Sequence, residues 1–251
     1  MRRPIIVGNW KMNMLISSAD KWMIGLLDKS HITDQADIVI APPFTALAVL
    51  RERIKGSKVQ LAGQNMGSEP VGSLTGEISA AMLKDAGCNY VILGHSERRQ
   101  YCAETNALLR RKISVAYEQG LNIIFCIGES LDDRNNGRTH DVIKTQLSSG
   151  LEGLGISRLG QLALAYEPIW AIGTGHTARP EQVQDVHLFI RSWIKELFGA
   201  KCAEYTRILY GGSVTPETST TLINQSDVDG LLVGGASLKP NSFYDIINSL
   251  V

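Results

Sequence analysis

The sequence lacks the features of several large classes of protein. Lys+Arg and Asp+Glu each number 25, so there is no excess of positive charge to attract nucleic acid or an anionic membrane surface. No apolar run approaches the roughly 20 residues that span a bilayer. Gly8, Asn9 and Lys11 interrupt the apolar run near the N-terminus, which is unlike a signal peptide. We therefore expect a soluble protein, with neither nucleic acid nor a membrane as a partner.

Cysteines and metal-ligand motifs are also scarce. The four cysteines, Cys88, Cys102, Cys126 and Cys202, form no C-x-x-C pair, which argues against a disulfide framework and against a zinc site. The five histidines show no H-E-x-x-H spacing, and acidic residues do not cluster with them. We predict no metal site, and a reducing cytoplasm is the simplest location.

Short apolar or β-branched runs recur eight times, and segments with helical spacing of apolar residues separate them. In "EQVQDVHLFIRSWIKELF", for example, the apolar residues Val183, Val186, Phe189, Ile190, Trp193 and Ile194 share a face. The eight runs are continuously apolar, as expected of parallel strands that helices cover. They read "PIIVGNW", "ADIVIAPP", "VQLAGQN", "NYVILGH", "NIIFCIGE", "LALAYEP", "RILYGG" and "GLLVGGAS".

Eight strand–helix units in 251 residues predict an α/β fold of the (β/α)8 barrel type, the TIM barrel, with eight parallel strands and outer helices. The structural alternative is an open doubly wound sheet. That fold usually carries G-x-G-x-x-G after its first strand, whereas the turn here reads "GNWKMN". No linker or low-complexity tract divides the chain, so we expect residues 1–251 to form a single barrel domain.

Polar residues gather where the predicted strands end. Asn9 and Lys11 follow the first run, His95 and Glu97 follow the fourth, and Glu167 follows the sixth. In a parallel barrel these ends converge on one rim, where active sites of this architecture lie. An amine, an imidazole and a carboxylate on that rim favour a catalytic interpretation over three unrelated structural charges.

Each of these side chains also has a structural interpretation. Taken alone, Glu167 fits a salt-bridged strand end as well as it fits a catalytic base. Lys11 fits a surface lysine, and a Schiff-base role is less suitable because that lysine should lie inside the barrel. His95 precedes a predicted helix whose dipole favours the neutral imidazole as a hydrogen-bond donor. We interpret three other histidines as structural: His31, His140 and His187.

Two glycine pairs follow the seventh and eighth runs, in "YGGSV" at 210–214 and "LVGGAS" at 232–237. Adjacent glycines let backbone N–H groups approach an anion closely. One isolated pair is explained more simply by a tight turn. Two pairs on adjacent strands, at the usual phosphate position of this barrel, favour a phosphate site that includes Gly211, Gly212, Ser213, Gly234 and Gly235.

Together these motifs resemble the triosephosphate isomerase family along essentially the whole chain. The matching stretches occur in family order and read "NWKMN", "LGHSERR", "CIGE", "AYEPIWAIGTG", "ILYGGSV" and "GLLVGGASL". The resemblance implies interconversion of dihydroxyacetone phosphate and D-glyceraldehyde 3-phosphate through an enediolate, in glycolysis and gluconeogenesis. It also implies that the reaction needs no cofactor and no metal.

The resemblance implies a role for each polar residue of the rim. Glu167 would move a proton between neighbouring carbons, and His95 would polarise the carbonyl and shuttle hydroxyl protons. Lys11 and Asn9 would stabilise the negative charge of the enediolate, and Glu97 would help to orient this set.

Four residues would bind the phosphate of a small phosphorylated triose, if the resemblance holds. Gly173 would contact the phosphate from a lid that closes over it, and Ser213, Gly234 and Gly235 would hold it from below. Closure excludes water from the reaction.

The segment "PIWAIGTGHTA" at 168–178 resembles the family's lid. In the family, Tyr210 and Ser213 bond the lid backbone when it is closed, and Glu129 holds Trp170 when it is open. The expected lid residues are Pro168, Ile169, Trp170, Ala171, Ile172, Gly173, Thr174 and Gly175.

The long loop "NMGSEPVGSLTGEIS" at 65–79 resembles the family's subunit contact. It implies a homodimer in which Thr75 lies near Asn9 and Lys11 of the partner subunit. Three residues differ from those that are frequent at their positions in the family: His176, Leu74 and Thr215. We expect these differences to affect lid kinetics and interface strength more than the chemistry.

Two alternative functions remain at this stage. Another barrel enzyme acting on phosphosugars would need metal ligands at the strand ends, for an epimerase, or a mid-strand lysine, for an aldolase, and the sequence suggests neither. A non-catalytic phosphometabolite-binding protein would keep both glycine loops but would have no need for Glu167 and His95.

Overall fold

The eight predicted strands are present in the computed structural model, which describes residues 2–29, 36–153, 155, 160–172 and 177–250. They are parallel and pair in sequence order, and the first also pairs with the last, so the sheet closes into a barrel. The predicted barrel is confirmed and the open sheet is excluded. The strands are β1 (Ile5–Asn9), β2 (Asp37–Ala41), β3 (Val59–Gly63), β4 (Cys88–Leu93), β5 (Asn122–Ile127), β6 (Leu162–Tyr166), β7 (Arg207–Tyr210) and β8 (Gly230–Val233).

Helices surround the barrel, and three short 3-10 turns lie at its strand ends within the described ranges. The 3-10 turns span Phe44–Ala46, Ile169–Ala171 and Gly235–Leu238. The α-helices are α1 (Ile16–Leu27), α2 (Leu47–Arg53), α3 (Ala80–Asp85), α4 (Ser96–Tyr101), α5 (Asn106–Glu118), α6 (Leu131–Asn135), α7 (Thr139–Leu151), α8 (Pro180–Phe198), α9 (Ala200–Tyr205), α10 (Pro216–Ile223) and α11 (Pro240–Asn248).

Helix α8 shows how the helical segments attach to the barrel. Proline at its first position suits a helix start, because the N–H that proline lacks would have no partner inside the helix. The apolar face predicted from sequence is buried, apart from the half-buried Phe189. Its buried members are Val183, Val186, Ile190, Trp193 and Ile194.

The strands are continuously apolar because both of their faces are covered. Ile5 and Val7 point into a cluster inside the barrel, whereas Ile6 between them joins the larger cluster between the strands and the helices. Alternate residues of each strand thus serve two different cores. No helix among the described residues is long and apolar enough to cross a membrane.

The closed barrel brings the polar strand ends to one rim. Asn9 is the last residue of β1, Glu167 directly follows β6, and Gly211 directly follows β7. On the same side, residues 65–79 form a loop between β3 and α3. The N–H of Gly67 donates to the backbone oxygen of Ile78 at 2.8 Å and closes the base of this loop.

Candidate active site

Glu167 is fixed by backbone packing at the end of β6. Its N–H donates to the backbone oxygen of Ile127 at 2.7 Å, and a Cβ atom on Gly128 would overlap the backbone oxygen of Glu167. A Cβ on Gly211 would lie 2.8 Å from the Glu167 Cγ, so the neighbouring strand end also needs glycine. Glu167 as a whole is only 1% exposed, and its Oε2 accepts a hydrogen bond from the Ser96 N–H at 2.9 Å.

His95 caps helix α4 and faces this carboxylate. Its Nδ1 accepts a hydrogen bond from the Glu97 N–H at 3.3 Å, so Nδ1 carries no proton and the neutral ring holds its proton on Nε2. Nε2 lies 3.1 Å from Glu167 Oε1. The pair does not meet hydrogen-bonding geometry, and Oε1 has no hydrogen-bond partner among the described residues. The predicted neutral donor is therefore compatible with the local hydrogen bonding.

Lys11 occupies an unusual backbone conformation with φ of 53°. Two side chains hold its backbone there, because Asn9 Oδ1 accepts from the Lys11 N–H at 3.0 Å and Gln64 Nε2 donates to the Lys11 oxygen at 2.8 Å. The ammonium donates to Glu97 Oε1 at 2.7 Å. Asn9, Lys11 and Glu97 thus form one connected group, and the orienting role of Glu97 stays a prediction.

A cavity of about 570 Å³ joins these groups to the two glycine loops. Asn9, Lys11, His95 and Glu167 line it. The predicted phosphate residues line it as well, and those within the described ranges are Gly211, Gly212, Ser213, Gly234 and Gly235. The predicted phosphate site and the predicted catalytic side chains therefore share one cavity.

The first part of the predicted lid, Pro168–Ile172, is held at its tryptophan. Trp170 Nε1 donates to Glu129 Oε1 at 2.9 Å, and the Tyr166 hydroxyl donates to the same oxygen at 3.0 Å. Burial and the nearby Glu129 carboxylate raise the pKa of Tyr166 well above its usual value, so Tyr166 stays a donor. Gly173, Thr174, Gly175 and His176 of the lid segment, and His31, lie outside the described residues.

Comparison with known proteins supports the family resemblance over the full length. The family model described as triosephosphate isomerase matches residues 4–250. The chain belongs to the triosephosphate isomerase family. A triosephosphate isomerase of Geobacter metallireducens is 50% identical over 248 residues, which are 99% of each chain. One of Carboxydothermus hydrogenoformans is 47% identical over 251 residues, covering all of both chains, and one of Dictyoglomus thermophilum is 45% identical over 249 residues, covering 99% of this chain and all of the relative.

Four residues contact the site of this family member without having been assigned a role from sequence. Ser96 and Gln64 bond Glu167 and Lys11, respectively. Cys126 lies beneath Glu167 inside the barrel, and burial followed by the Glu167 charge raises the pKa of its thiol well above the usual value. Arg99 donates to the backbone oxygens of Gly94 at 2.8 Å and Cys126 at 3.1 Å. The motif "SERR" contained Ser96 and Arg99, but it did not reveal their contacts.

Arg99 is a partly buried cation whose guanidinium bonds the backbone close to this part of the rim. Burial lowers the pKa of its guanidinium, and the charges of Cys126, Glu167 and Glu104 oppose that shift. Among the described residues, no group of three or more His, Cys, Asp or Glu side chains is arranged to hold a metal ion. The independence from metals and cofactors stays a prediction for this family member.

Proposed function

We propose that this protein interconverts dihydroxyacetone phosphate and D-glyceraldehyde 3-phosphate, a reaction of glycolysis and gluconeogenesis. The observation that carries the proposal is the meeting of Glu167, His95 and Lys11 in one cavity with two glycine loops. Membership of the triosephosphate isomerase family supports it. Residues 1–251 would act as one domain, since the closed barrel uses strands from both ends of the chain.

Glu167 is proposed as the base. Its Oε1 has no hydrogen-bond partner among the described residues and is free to take a proton from the carbon beside the substrate carbonyl. The electron pair of the broken C–H bond forms a C=C bond, and the π electron pair of the carbonyl moves to its oxygen, which gives an enediolate. His95 moves a proton from the hydroxyl oxygen to the former carbonyl oxygen, and Glu167 returns its proton to the neighbouring carbon, so that the carbonyl forms at the other carbon and the enzyme is unchanged.

His95 and Lys11 are proposed to stabilise the enediolate. The proton on His95 Nε2 points to the side of the ring where Glu167 lies, so it can donate to a substrate oxygen at the reacting carbons. The Lys11 ammonium supplies positive charge, and its hydrogen bond to Glu97 keeps it in place. Asn9 fixes the Lys11 backbone. Fixed donors aimed at developing charge are an effective means of lowering such a barrier.

The glycine loops are proposed to bind the substrate phosphate through Ser213, Gly234 and Gly235, with Gly173 added from the lid. A Cβ on Gly235 would meet no atom within 4 Å, so the space in front of this backbone is open to a ligand. Backbone N–H groups at the start of the 3-10 turn Gly235–Leu238 suit an anion.

The function is tested by a coupled assay with D-glyceraldehyde 3-phosphate on the wild type and on Glu167→Gln. We expect turnover in the wild type and a decrease of about 10²- to 10⁴-fold in kcat for the variant, because the amide cannot act as a base. Inorganic phosphate should still bind the variant. Glu196→Gln, an exposed change in α8, is the control and should match the wild type.

Two results would reject the proposal. Wild-type protein that binds phosphate without turnover would favour the non-catalytic binding protein. Near-normal turnover in Glu167→Gln would show that another group is the base and that the site assignment is wrong.

We also propose a homodimer formed through loop 65–79. Exposed apolar side chains are concentrated in the segments after β1, β2 and β3, and they are Met12, Leu15, Ile16, Phe44, Val49, Val71 and Leu74. Apolar patches of this kind mark interaction sites in soluble proteins. A cytoplasmic location is proposed as well, since the four cysteines are free thiols and the reaction belongs to central carbon metabolism.

A further inference from the structure

The cavity continues past the groups that are proposed to carry out proton transfer. Beyond the glycine loops, its wall is formed by the starts of α10 and α11. The lining residues there are Thr215, Pro216, Glu217, Lys239 and Ser242. None of them has a role in the proposed isomerisation, and none was assigned a substrate contact from the family resemblance.

The two lysines that line the cavity differ in whether they have an ion-pair partner. Among the described lining residues, the lysines are Lys11 and Lys239 and the carboxylates are Glu167 and Glu217. The Lys11 ammonium is already bonded to a carboxylate outside this set, at 2.7 Å. The Lys239 side chain has neither a hydrogen-bond nor an ion-pair partner among the described residues.

Lys239 is adjacent to the phosphate loop through the backbone. The 3-10 turn Gly235–Leu238 has Gly234 at its N-terminal side and Lys239 directly after it. The Lys239 side chain makes no capping bond to α11. Within the described chain, therefore, no residue pairs with the Lys239 ammonium. A phosphate dianion in the cavity could pair with it.

We propose that Lys239 is a further substrate-binding residue, whose ammonium attracts the phosphate dianion into the cavity and stabilises it there. This inference rests on the proposed isomerase function, because it assigns a binding group to that substrate. The N–H groups of the glycine loops are neutral and act at short range, whereas a full positive charge also acts on an approaching anion. Glu167 and Glu217 repel the dianion, so an unpaired cation on the same wall offsets their charge.

The test compares Lys239→Met and Lys239→Arg with the wild type. The measured quantities are kcat/KM for D-glyceraldehyde 3-phosphate and the inhibition constant of inorganic phosphate, both at a series of sodium chloride concentrations. At low salt we expect Lys239→Met to lower kcat/KM by about threefold to thirtyfold, with kcat close to the wild type. Phosphate inhibition should weaken by a similar factor, and Lys239→Arg should restore most of both losses.

Salt screens the charge of Lys239, so the dependence of kcat/KM on salt concentration separates an electrostatic role from a structural defect. The difference between Lys239→Met and the wild type should shrink as salt rises towards about 1 M, where the Debye length is only about 3 Å. Lys195→Met removes an exposed lysine of α8 that does not line the cavity, and it should match the wild type at every salt concentration. Thermal unfolding of each variant checks that α11 is intact.

Two outcomes overturn the role of Lys239 while leaving the isomerase function in place. One is an active wild type with the same kcat/KM and the same phosphate inhibition as Lys239→Met. The other is a loss that is equal at all salt concentrations. If the wild type has no turnover, the proposed function fails, and calorimetric binding of inorganic phosphate to both proteins still decides whether Lys239 binds the anion.

Discussion

His187 is a buried histidine of α8 that the proposed isomerase mechanism does not use. Its Nδ1 lies 3.0 Å from the backbone oxygen of Asp227, and its ring packs edge-on against Tyr166. Burial lowers the pKa of His187 from 6.5 to about 4, although the hydrogen bond to Asp227 opposes this shift. The folded protein therefore keeps the imidazole neutral at pH values where the unfolded chain binds a proton. This agrees with the structural role predicted for His187.

The depressed pKa of His187 predicts a loss of stability in acid. Above about pH 6.5 neither state is protonated at this group, and between about pH 6.5 and pH 4 only the unfolded state takes up the proton. The free energy of unfolding should therefore fall by about 3 kcal/mol from this group across that range. In His187→Gln this component should be missing.

Urea unfolding at about pH 7, 5.5 and 4.5 gives the free energy of unfolding of the wild type and of His187→Gln. The slope of this free energy against pH should be smaller in the variant. Carboxylates contribute to both proteins alike, so the comparison isolates the histidine. His140→Gln is the control, because His140 is partly exposed and stacks on Phe189 at the surface, and its curve should follow the wild type. Parallel curves for the wild type and His187→Gln would show that this histidine does not set the acid response.

At the residue scale, sequence located those site residues whose position depends on chain order alone. Glu167, His95 and Lys11 each follow a strand, and barrel closure is enough to bring them together. Ser96 and Gln64 were not assigned. Ser96 contacts the base through its backbone N–H, and Gln64 acts through the direction of its carboxamide, neither of which residue type reveals.

At the element scale, the contact between the ends of β5 and β6 sets the position of the proposed base. We expect Gly128→Ala to destabilise the protein by about 3 kcal/mol, because the added Cβ would overlap a backbone oxygen that cannot rotate away. It should also lower kcat, because relief of the overlap displaces Glu167. Thermal unfolding and the coupled assay measure the two effects.

The matched control is Gly160→Ala, where an added Cβ would meet no atom within 4 Å. Gly160 also lacks the positive φ that would strain an alanine. This variant should keep wild-type stability and turnover. Equal behaviour of the two alanine variants would mean that the strand ends separate without cost and that the base is not fixed by this contact.

The strands were predictable as elements because both of their faces are apolar, and α8 was predictable because its apolar face recurs with helical spacing. Helix α4 was predictable only at its start. It has six residues, so its position depends on the His95 cap and the Arg99 bonds more than on any periodic pattern. The Arg99 bond to Cys126 joins α4 to β5, and a tertiary contact of this kind is not apparent from a six-residue sequence.

At the scale of the whole molecule, the proposed homodimer predicts a particle of twice the chain mass. Sedimentation velocity at about 10 µM should give the dimer for the wild type. Val71→Glu should shift it to monomer, because Val71 is 84% exposed in loop 65–79 and a buried carboxylate without a partner is costly. Activity per chain of this variant should be lower than that of the wild type at the same concentration.

Leu197→Glu is the control for the dimer. Leu197 is also an exposed apolar residue, but it lies near the end of α8, far along the chain from the loops after β1, β2 and β3. This variant should remain a dimer. A monomeric and fully active wild type would reject the proposed assembly without affecting the proposed chemistry.

Barrel closure was predictable for the whole molecule because the number of repeating units limits the possible folds. Assembly was suggested by the family resemblance, and the described residues add only a concentration of exposed apolar side chains. Barrel closure follows from the repeating units of one chain. A dimer interface also depends on how a second subunit is placed, and the sequence of one chain does not give that placement.

The left-handed backbone at Lys11 places stability and catalysis in opposition. A non-glycine residue in that region carries a conformational cost of about 1–3 kcal/mol, and bonds from Asn9 and Gln64 maintain it. Glycine at this position would relax the chain but would delete the proposed ammonium. Engineering for heat tolerance therefore has to leave this position alone, and it has more freedom on the outer helices, where no such trade-off arises.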